Sequence, residues 1–217
     1  MTPDLFDHCD EGPTGREVLA PGALVLRGFA RAQAESLVLE IGEICARAPF
    51  RHMLTPGGQH MSAAMTNCGP LGWVSDRRGY RYEAADPDSG KPWPPMPDTF
   101  LRLAADAAAE AGFSGFIPDA CLVNRYEPGT RMSLHQDRDE RDLTAPIVSV
   151  SLGLPAIFLF GGLHRSDRSE RVALVHGDVV VWGGLSRLRF HGILPVKEGS
   201  HALLGRQRIN LTFRKAA

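Results

Sequence analysis

Residues 131 to 143 read RMSLHQDRDERDL, and the triplet His135-Gln136-Asp137 within them decides how the whole chain is interpreted. An imidazole and a carboxylate two positions apart on an extended segment project from the same face, because side chains alternate along a strand. Both can therefore bind one metal ion, but two ligands do not complete a site. His191, on a later strand-like run, is the best candidate for a third. Two histidines and one carboxylate form a facial triad, which leaves positions open on a ferrous ion for a cosubstrate and oxygen.

The same spacing occurs a second time in the chain, in His176-Gly177-Asp178. Its central glycine and the apolar runs on both sides predict a tight turn between two strands rather than a pair of ligands. An H-x-D triplet recurs by chance in proteins that contain histidine, so a structural role for His135 and Asp137 is the alternative. The segment around His135 has no glycine and continues into a charged run, which favours the metal site there.

Composition narrows the classes of function. A chain of 217 residues fits one domain with a sizeable core, and a formal net charge of −1 excludes a nucleic-acid binder that depends on bulk positive charge. The 4 cysteines lack C-x-x-C spacing, so reduced thiols in a cytoplasmic protein are expected. The first residues have no signal-peptide pattern, and no apolar run approaches the ~20 residues of a membrane span. We therefore expect no membrane partner.

The chain is expected to fold as one domain, 1–217, built from successive parts. Residues 1–17, rich in Asp, Gly and Pro, are expected to form a mobile arm. Residues 18–48 contain a short strand and then an amphipathic helix, whose apolar positions recur at helical spacing. Residues 49–97 are expected to form an irregular lid. Residues 98–217 begin with a second helix and continue into the main β region.

The apolar period changes to two from residue 120 onward, which predicts a series of short strands. Strands separated by turns in this way are typical of a double-sheet jelly roll. We therefore predict a mostly β fold with flanking helices, whose core is a double-stranded β-helix (jelly roll) with the metal in its open mouth. The predicted strands are 120–126, 132–135, 147–152, 156–160, 171–175, 179–182, 188–193 and 208–214.

The last predicted strand has four polar side chains on one face and apolar ones on the other. The four are Arg208, Asn210, Thr212 and Arg214. A solvated face is one interpretation of this pattern. However, Asn124 and Tyr126, just before the metal pair, can point the same way. An interior with two guanidinium groups, an amide and a phenol needs an anion to satisfy it, and a dicarboxylic acid that also chelates the metal fits.

The lid combines turn-forming Gly and Pro with methionines and aromatic residues, which are too apolar for a disordered tail. Arg77, Arg78 and Arg81 interleave with the aromatic residues, a mixture suited to stacking a base while its phosphates are held. A cap that simply packs over the core fits the same composition, and the two interpretations are compatible.

Together these motifs resemble the AlkB family of iron and 2-oxoglutarate dependent dealkylases, from about Leu19 to Phe213. In this order and combination the motifs are highly specific. The markers are Asn124-Arg125-Tyr126, His135-Gln136-Asp137, His191 and Arg208-x-Asn210-x-Thr212-x-Arg214, with Thr55-Pro56-Gly57-Gly58, Met65-Thr66-Asn67-Cys68-Gly69 and Leu71-Gly72-Trp73 in the lid.

The resemblance implies a role for each marker. Fe(II) would be bound by His135, Asp137 and His191, with 2-oxoglutarate as cosubstrate and O2 as oxidant. The residues implied at the cosubstrate are Asn124, Tyr126 and Arg208 at its distal carboxylate, Arg214 at its metal-proximal carboxylate, and Asn210 in support. The lid becomes an N-terminal nucleotide-recognition cap, in which Trp73 stacks on the alkylated base. The implied substrate-binding residues are Thr55, Met65, Trp73, Tyr80, Asp139 and Arg165.

The activity implied by the resemblance is oxidative demethylation of 1-methyladenine and 3-methylcytosine, which releases formaldehyde and succinate. Its partner would be single-stranded or duplex DNA with alkylated bases, with RNA as a further option, and the protein would act as a monomer. One alternative keeps the oxygenase chemistry but places it on a protein or small-molecule substrate. Another is a non-enzymatic, cupin-like module that binds a metal structurally or reads nucleic acid.

Overall fold

The computed structural model of the chain describes residues 14–217. In that range no helix has the length and apolar character needed to cross a membrane. The helices and strands are β1 (Gly15–Ala20), β2 (Ala23–Arg27), α1 (Ala34–Arg47), β3 (Ala64–Cys68), β4 (Gly72–Asp76), β5 (Gly79–Glu83), α2 (Asp98–Glu110), β6 (Ala120–Tyr126), β7 (Met132–His135), β8 (Ile147–Gly153), β9 (Ala156–Phe160), β10 (Glu170–Leu174), β11 (Val179–Trp182), β12 (His191–Ile193) and β13 (Arg208–Arg214).

Two sheets form the predicted jelly roll. The larger sheet has 7 strands in the order β1-β2-β11-β8-β13-β6-β3, and the smaller has 4 in the order β10-β9-β12-β7. Helices α1 and α2 pack on the outer face of the larger sheet, where they share one apolar core with its strands. A second apolar core lies between the two sheets. Strands β4 and β5 form a separate hairpin.

Strand β13 shows how the sequence alternation positions the site. Its odd residues Ile209, Leu211 and Phe213 belong to the core shared with the helices, while the even, polar residues face the smaller sheet. Each buried apolar side chain of this size stabilises the fold by roughly 1.5–3 kcal/mol. All seven residues of β13 are buried. The alternation therefore separates a structural face from a polar interior face, and neither face is solvated.

The prediction of an irregular lid at 49–97 is wrong at three places, because β3, β4 and β5 lie there. Strand β3 is an edge strand of the larger sheet, and its Met65 pairs with Asn124 of β6. Every residue of β3 is buried. A strand covered on both faces needs no alternation of polar and apolar residues, so the period of two is missing from its sequence.

Other boundaries also differ from the sequence prediction. Residues 15–17 of the predicted mobile arm belong to β1, which pairs with β2, whereas residues 1–13 of that arm lie outside the described residues. The predicted strand 188–193 is shortened to β12. The turn predicted around Gly177 is confirmed, with a φ of 84° at this glycine, and it connects β10 of the smaller sheet to β11 of the larger one.

Candidate active site

The structure brings His135, Asp137 and His191 together in the space between the sheets. His135 ends β7 and His191 begins β12, and the two residues are directly paired across these antiparallel strands. The Nε2 atoms lie 3.6 Å (His135) and 3.7 Å (His191) from the nearer carboxylate oxygen of Asp137. One potential ligand atom from each residue lies within 4.8 Å of the others. This cluster can hold a single metal ion through two nitrogens and an oxygen.

Both imidazoles are oriented by backbone carbonyls. The Nδ1 of His135 lies 2.9 Å from the carbonyl oxygen of Ser133, and that of His191 lies 3.0 Å from the carbonyl of Arg189. A carbonyl can only accept, so each Nδ1 bears the hydrogen and each Nε2 has a free lone pair. Burial, and next the nearby His135, lower the pKa of His191 to about 4. His191 is therefore neutral at neutral pH, as a metal ligand must be.

The third ligand is held by Arg214, on the inner face of β13. Its Nη2 and Nε donate to Oδ2 of Asp137 at 2.6 and 3.0 Å. Burial alone would raise the pKa of Asp137, but Arg214 and then the two imidazoles outweigh burial and hold that pKa well below its usual range. The carboxylate is therefore anionic, and its Oδ1 faces His135.

A buried network around Glu140 lies behind the triad, and the sequence analysis missed it. Arg187 donates to Glu140 Oε2 at 3.0 Å and to the backbone oxygen of Asp137 at 2.6 Å. Tyr82 of β5 donates to Glu140 Oε1 at 2.7 Å, and Arg214 Nε lies 3.3 Å from the same oxygen. Glu140 sits in the charged run 138–142, which gives no sequence signal that one of its members is buried.

Arg208 lies at the other end of the polar face of β13 and is almost fully buried, with 1% exposure. Its Nη2 donates to Ser151 at 3.0 Å, and its guanidinium lies over the Tyr126 ring at 5.1 Å. Its Nε and Nη1 have no hydrogen-bond partner within the described part of the chain. Burial lowers the pKa of Arg208, although a guanidinium stays protonated at physiological pH.

Asn124 and Asn210 differ in whether their side-chain polar atoms have hydrogen-bond partners within the protein. Asn124 is buried opposite Asn210, and its Oδ1 has no partner among residues 14–217. Asn210 donates to Ser149 and to the carbonyl of Val150, at 2.8 and 2.9 Å, and accepts from Thr212. The polar atoms of Asn210 are thus occupied within the protein, which agrees with a supporting position.

These residues fit Fe(II) and 2-oxoglutarate on chemical grounds. Two imidazole nitrogens and a carboxylate are the donor set of ferrous oxygenases, and three ligands leave coordination positions open. An unpaired buried guanidinium needs an anion, because unsatisfied N–H groups in a low dielectric are costly. A dicarboxylate can bind the metal with one end and Arg208 with the other.

The β4–β5 hairpin supplies the aromatic part of the predicted substrate site. The rings of Trp73 and Tyr80 stack with centroids 5.5 Å apart and planes 15° apart. Trp73 Nε1 donates to Asp139 at 2.9 Å, just beyond the triad. Tyr80 is 47% exposed. An exposed aromatic face beside a carboxylate suits a flat ring with positive charge.

The other predicted substrate residues are spread over three elements. Thr55 lies in a turn, where its hydroxyl accepts from the backbone N–H of Gln59 at 3.1 Å. Met65 is 1% exposed and belongs to the core between the sheets. Arg165 is exposed in the loop after β9, with its guanidinium 5.9 Å from the ring of Phe190, the residue before His191. Arg165 thus contacts Phe190 from an exposed loop, whereas Met65 lies inside the core.

Comparison with known proteins agrees with this geometry. A family model for the 2OG-Fe(II) oxygenase superfamily matches residues 22–214. The chain is 59% identical over 214 residues to the alpha-ketoglutarate-dependent dioxygenase AlkB of Salmonella typhimurium, covering 99% of this chain and 98% of the relative. It is 32% identical over 160 residues to the tRNA demethylase abh1 of Schizosaccharomyces pombe, covering 67% and 52% of the two chains.

Among solved structures, one described as the structure of OsALKBH1 superposes with a TM-score of 0.82 at 28% identity, covering 93% of this chain and 100% of that one. The match extends over both sheets. With the superfamily model and the full-length bacterial relative, it establishes that the chain belongs to the AlkB family of 2OG-Fe(II) oxygenases.

Proposed function

We propose that the chain is an Fe(II)- and 2-oxoglutarate-dependent dioxygenase that demethylates alkylated nucleic acid, with 1-methyladenine and 3-methylcytosine in DNA as its substrates. One observation supports it most directly: the cluster of His135, Asp137 and His191 shares the space between the sheets with a buried Arg208 that has unpaired N–H groups. The bacterial relative named as an AlkB dioxygenase, 59% identical, supports the same conclusion.

In this proposal His135, Asp137 and His191 bind the ferrous ion. When bound, the ion together with 2-oxoglutarate and O2 supplies the oxidising power to hydroxylate an N-methyl group. Arg214 keeps Asp137 anionic and fixes its direction through two hydrogen bonds. The carbonyls behind both histidines keep the Nε2 atoms directed at the ion.

Arg208, with Asn124 and Tyr126 beside it, binds the distal carboxylate of 2-oxoglutarate in this proposal. The two unpaired donor nitrogens of Arg208, Nε and Nη1, would gain acceptors, and charge-assisted hydrogen bonds are the stronger kind. Arg214 lies near the metal-proximal carboxylate, and Asn210 supports the pocket from within the sheet. Tyr126 covers one face of the Arg208 guanidinium.

The hairpin would select the damaged base. 1-methyladenine and 3-methylcytosine have positive charge on the ring, so an aromatic face at Trp73 and a carboxylate at Asp139 favour them over normal bases. Thr55, Met65, Tyr80 and Arg165 complete the proposed substrate site. The methyl group also blocks Watson-Crick pairing, which lowers the cost of extruding the base from a duplex. Single strands are therefore expected to react more readily than duplexes.

The proposal also covers the class of nucleic acid, the cellular compartment and the oligomeric state. DNA is the proposed substrate, and RNA is the alternative because one relative is named a tRNA demethylase. We also propose a cytoplasmic monomer made as one domain with residues 49–97 as the nucleotide-recognition lid. Within residues 14–217 the thiols of Cys45, Cys68 and Cys121 form no disulfide.

The chain provides its own control for a test of the proposal. His135→Ala should remove one ligand without leaving a buried charge unpaired, because His135 is half-exposed. His176→Ala alters the second H-x-D triplet, which lies in a turn remote from the first in sequence. Formaldehyde release and mass-spectrometric demethylation are measured on oligonucleotides with 1-methyladenine or 3-methylcytosine, with and without iron.

The expected result is loss of iron-dependent turnover by at least about 100-fold in His135→Ala, with full activity in His176→Ala. Equal activity in wild type and His135→Ala would refute the assignment of the metal. Succinate release without demethylation of any oligonucleotide would instead favour a protein or small-molecule substrate.

A further inference from the structure

Glu140 is a buried carboxylate to which the chemistry above gives no role. Its side chain is 2% exposed, it accepts from the guanidinium of Arg187 and the phenol of Tyr82, and it forms an ion pair with Arg214. The guanidinium groups of Arg187 and Arg214 also bond to Asp137, one through the backbone oxygen and the other through the carboxylate. Glu140 and the metal-ligating carboxylate therefore share one cation, Arg214, while Arg187 connects Glu140 to the backbone of Asp137.

This sharing makes the position of Arg214 depend on Glu140. Arg214 Nε donates to Asp137 Oδ2 at 3.0 Å and forms an ion pair with Glu140 Oε1 at 3.3 Å, so one guanidinium is attracted by two carboxylates. The phenol of Tyr82 donates to the same Oε1 at 2.7 Å. The hydrogen bond from Tyr82 offsets part of the negative charge on Oε1 and so weakens the attraction of this oxygen for the Arg214 guanidinium. The hydroxyl of Tyr82 therefore favours the bond from Arg214 to Asp137.

Tyr82 also belongs to the hairpin that would hold the base. It pairs across the hairpin with Trp73, and the two side chains bond to adjacent residues beyond the triad, Glu140 and Asp139. The hydrogen bond of Trp73 is exposed, whereas that of Tyr82 is partly buried. A shift of the hairpin therefore moves the Tyr82 hydroxyl relative to Glu140.

We propose that Tyr82 and Glu140 are positioning residues that couple the binding of nucleic acid at the β4–β5 hairpin to the binding of a divalent metal at the triad, an inference that rests on the proposed function. A bound methylated strand holds the hairpin against the segment 137–140. The Tyr82 bond to Glu140 is then kept, Arg214 stays on Asp137, and the carboxylate remains directed at the ion. Coupling of this kind is reciprocal, so the metal tightens the binding of the strand by the same factor.

The test measures the dissociation constant of Mn(II), an air-stable probe, by electron paramagnetic resonance of the free ion. Each measurement is made with and without a saturating single strand that contains 3-methylcytosine. In the wild-type protein the strand is expected to tighten Mn(II) binding by about 5-fold or more, the lower end of typical coupling between sites. In Tyr82→Phe this factor is expected to fall below about 2-fold, while the metal and the strand each still bind alone.

Glu83→Gln is the matched control, because Glu83 is the next residue in β5 and, within residues 14–217, its side chain forms an ion pair with Arg81 alone. This variant is expected to keep the wild-type coupling factor. Glu140→Gln is the second variant, and it should abolish coupling in the same way. If Glu140→Gln does not fold, Tyr82→Phe decides alone, since its only loss is one hydroxyl.

An equal coupling factor in wild type and Tyr82→Phe would overturn the inference, and so would the absence of coupling in the wild type. Failure of Mn(II) or of the methylated strand to bind the wild-type protein at all would overturn the proposed function, and this inference with it. If Mn(II) and the methylated strand both bind but neither changes the affinity of the other, the proposed coupling is wrong and the proposed function is unaffected.

Discussion

The triad and the β4–β5 hairpin contribute to one site but are held in place in different ways. Asp137 and Arg214 form a buried pair, whose side chains are 9% and 7% exposed. In the hairpin turn, Asp76 is 33% exposed and pairs with Arg81 and Arg78 close to solvent. Exposed ion pairs contribute only about 0.2–1 kcal/mol, whereas breaking a buried pair costs several times more. The difference indicates a rigid centre for the chemistry beside a recognition element that can move.

The first prediction concerns the rigid side and has the largest expected effect. Arg208→Met removes a buried guanidinium with two unpaired donor nitrogens, Nε and Nη1. If these groups bind 2-oxoglutarate, its dissociation constant should rise by about 100-fold or more, from the loss of two charge-assisted hydrogen bonds at about 1.5 kcal/mol or more each. Isothermal titration of 2-oxoglutarate into Mn(II)-loaded protein without oxygen measures this change.

The free energy of unfolding of Arg208→Met provides a second, independent test. A buried charge that mainly serves a ligand is costly to the ligand-free protein, so Arg208→Met should leave the free energy of unfolding unchanged or raise it by about 1–4 kcal/mol. Arg206→Met, two residues earlier and exposed beside Glu198, is the control and should affect neither quantity. A destabilised variant with unaltered 2-oxoglutarate binding would mean that Arg208 is a structural residue.

The second prediction concerns the mobile side. Trp73→Ala should weaken binding of a methylated single strand by about 1–3 kcal/mol, the range for one stacked base. Trp73→Phe keeps an aromatic face but loses the hydrogen bond to Asp139, and should recover most of that loss. Fluorescence anisotropy with labelled oligonucleotides measures both variants. If Trp73→Ala binds the methylated strand with wild-type affinity, the base does not stack on the hairpin, and a different class of substrate is favoured.

The core strands could be predicted from the sequence more completely than the β4–β5 hairpin and the buried charges. In the rigid core, β6, β7, β9, β11 and β13 match their predicted bounds. Strand β13 has a visible period of two, whereas the continuous apolar runs of β9 and β11 are recognisable because turn residues, glycine among them, bound them on both sides. Alternation places His135 and Asp137 on one face, but it does not fix the pairing of His135 with His191, 56 positions apart in the chain. That meeting is expected because a metal site needs a third ligand and because the motifs resemble the AlkB family. The strands could thus be predicted from local patterns, whereas the metal cluster could not be predicted from one local pattern alone.

The parts that could not be predicted depend on tertiary packing. Strand β3 is buried on both faces and lacks alternation, and β4–β5 is a short hairpin among Gly and Pro residues that resemble a loop. Glu140 and Arg187 look like surface charges in the sequence, yet they form a buried pair. Folding brings Arg187 and Glu140, which are far apart in the sequence, next to each other. No local sequence pattern indicates this pairing.

The last prediction has the smallest expected effect and tests whether the hairpin opens apart from the core. Hydrogen bonds from Arg81 and then Arg78 hold the pKa of Asp76 below its ordinary value of 3.8. Between this lowered pKa and pH 3.8, Asp76 stays ionised in the folded hairpin but becomes protonated in the unfolded chain. Asp76 therefore stabilises the hairpin fully above about pH 3.8, and this stabilisation is lost as the pH falls towards the lower pKa of the folded state. Hydrogen exchange, corrected for intrinsic rates, should show amides of β4–β5 losing protection on acidification before those of β6 and β13.

Asp76→Asn isolates the contribution of the hairpin, because the pKa of Asp137 is also depressed and the core has its own response to acid. In this variant the hairpin amides should already be less protected at pH 7, and their further loss below pH 3.8 should be smaller than in the wild type. Added salt should imitate the substitution at pH 7, since exposed pairs are screened and buried ones are not. Identical acid profiles in the two proteins would show that the hairpin opens only together with the core, and the contrast between a fixed centre and a mobile recognition element would then be wrong.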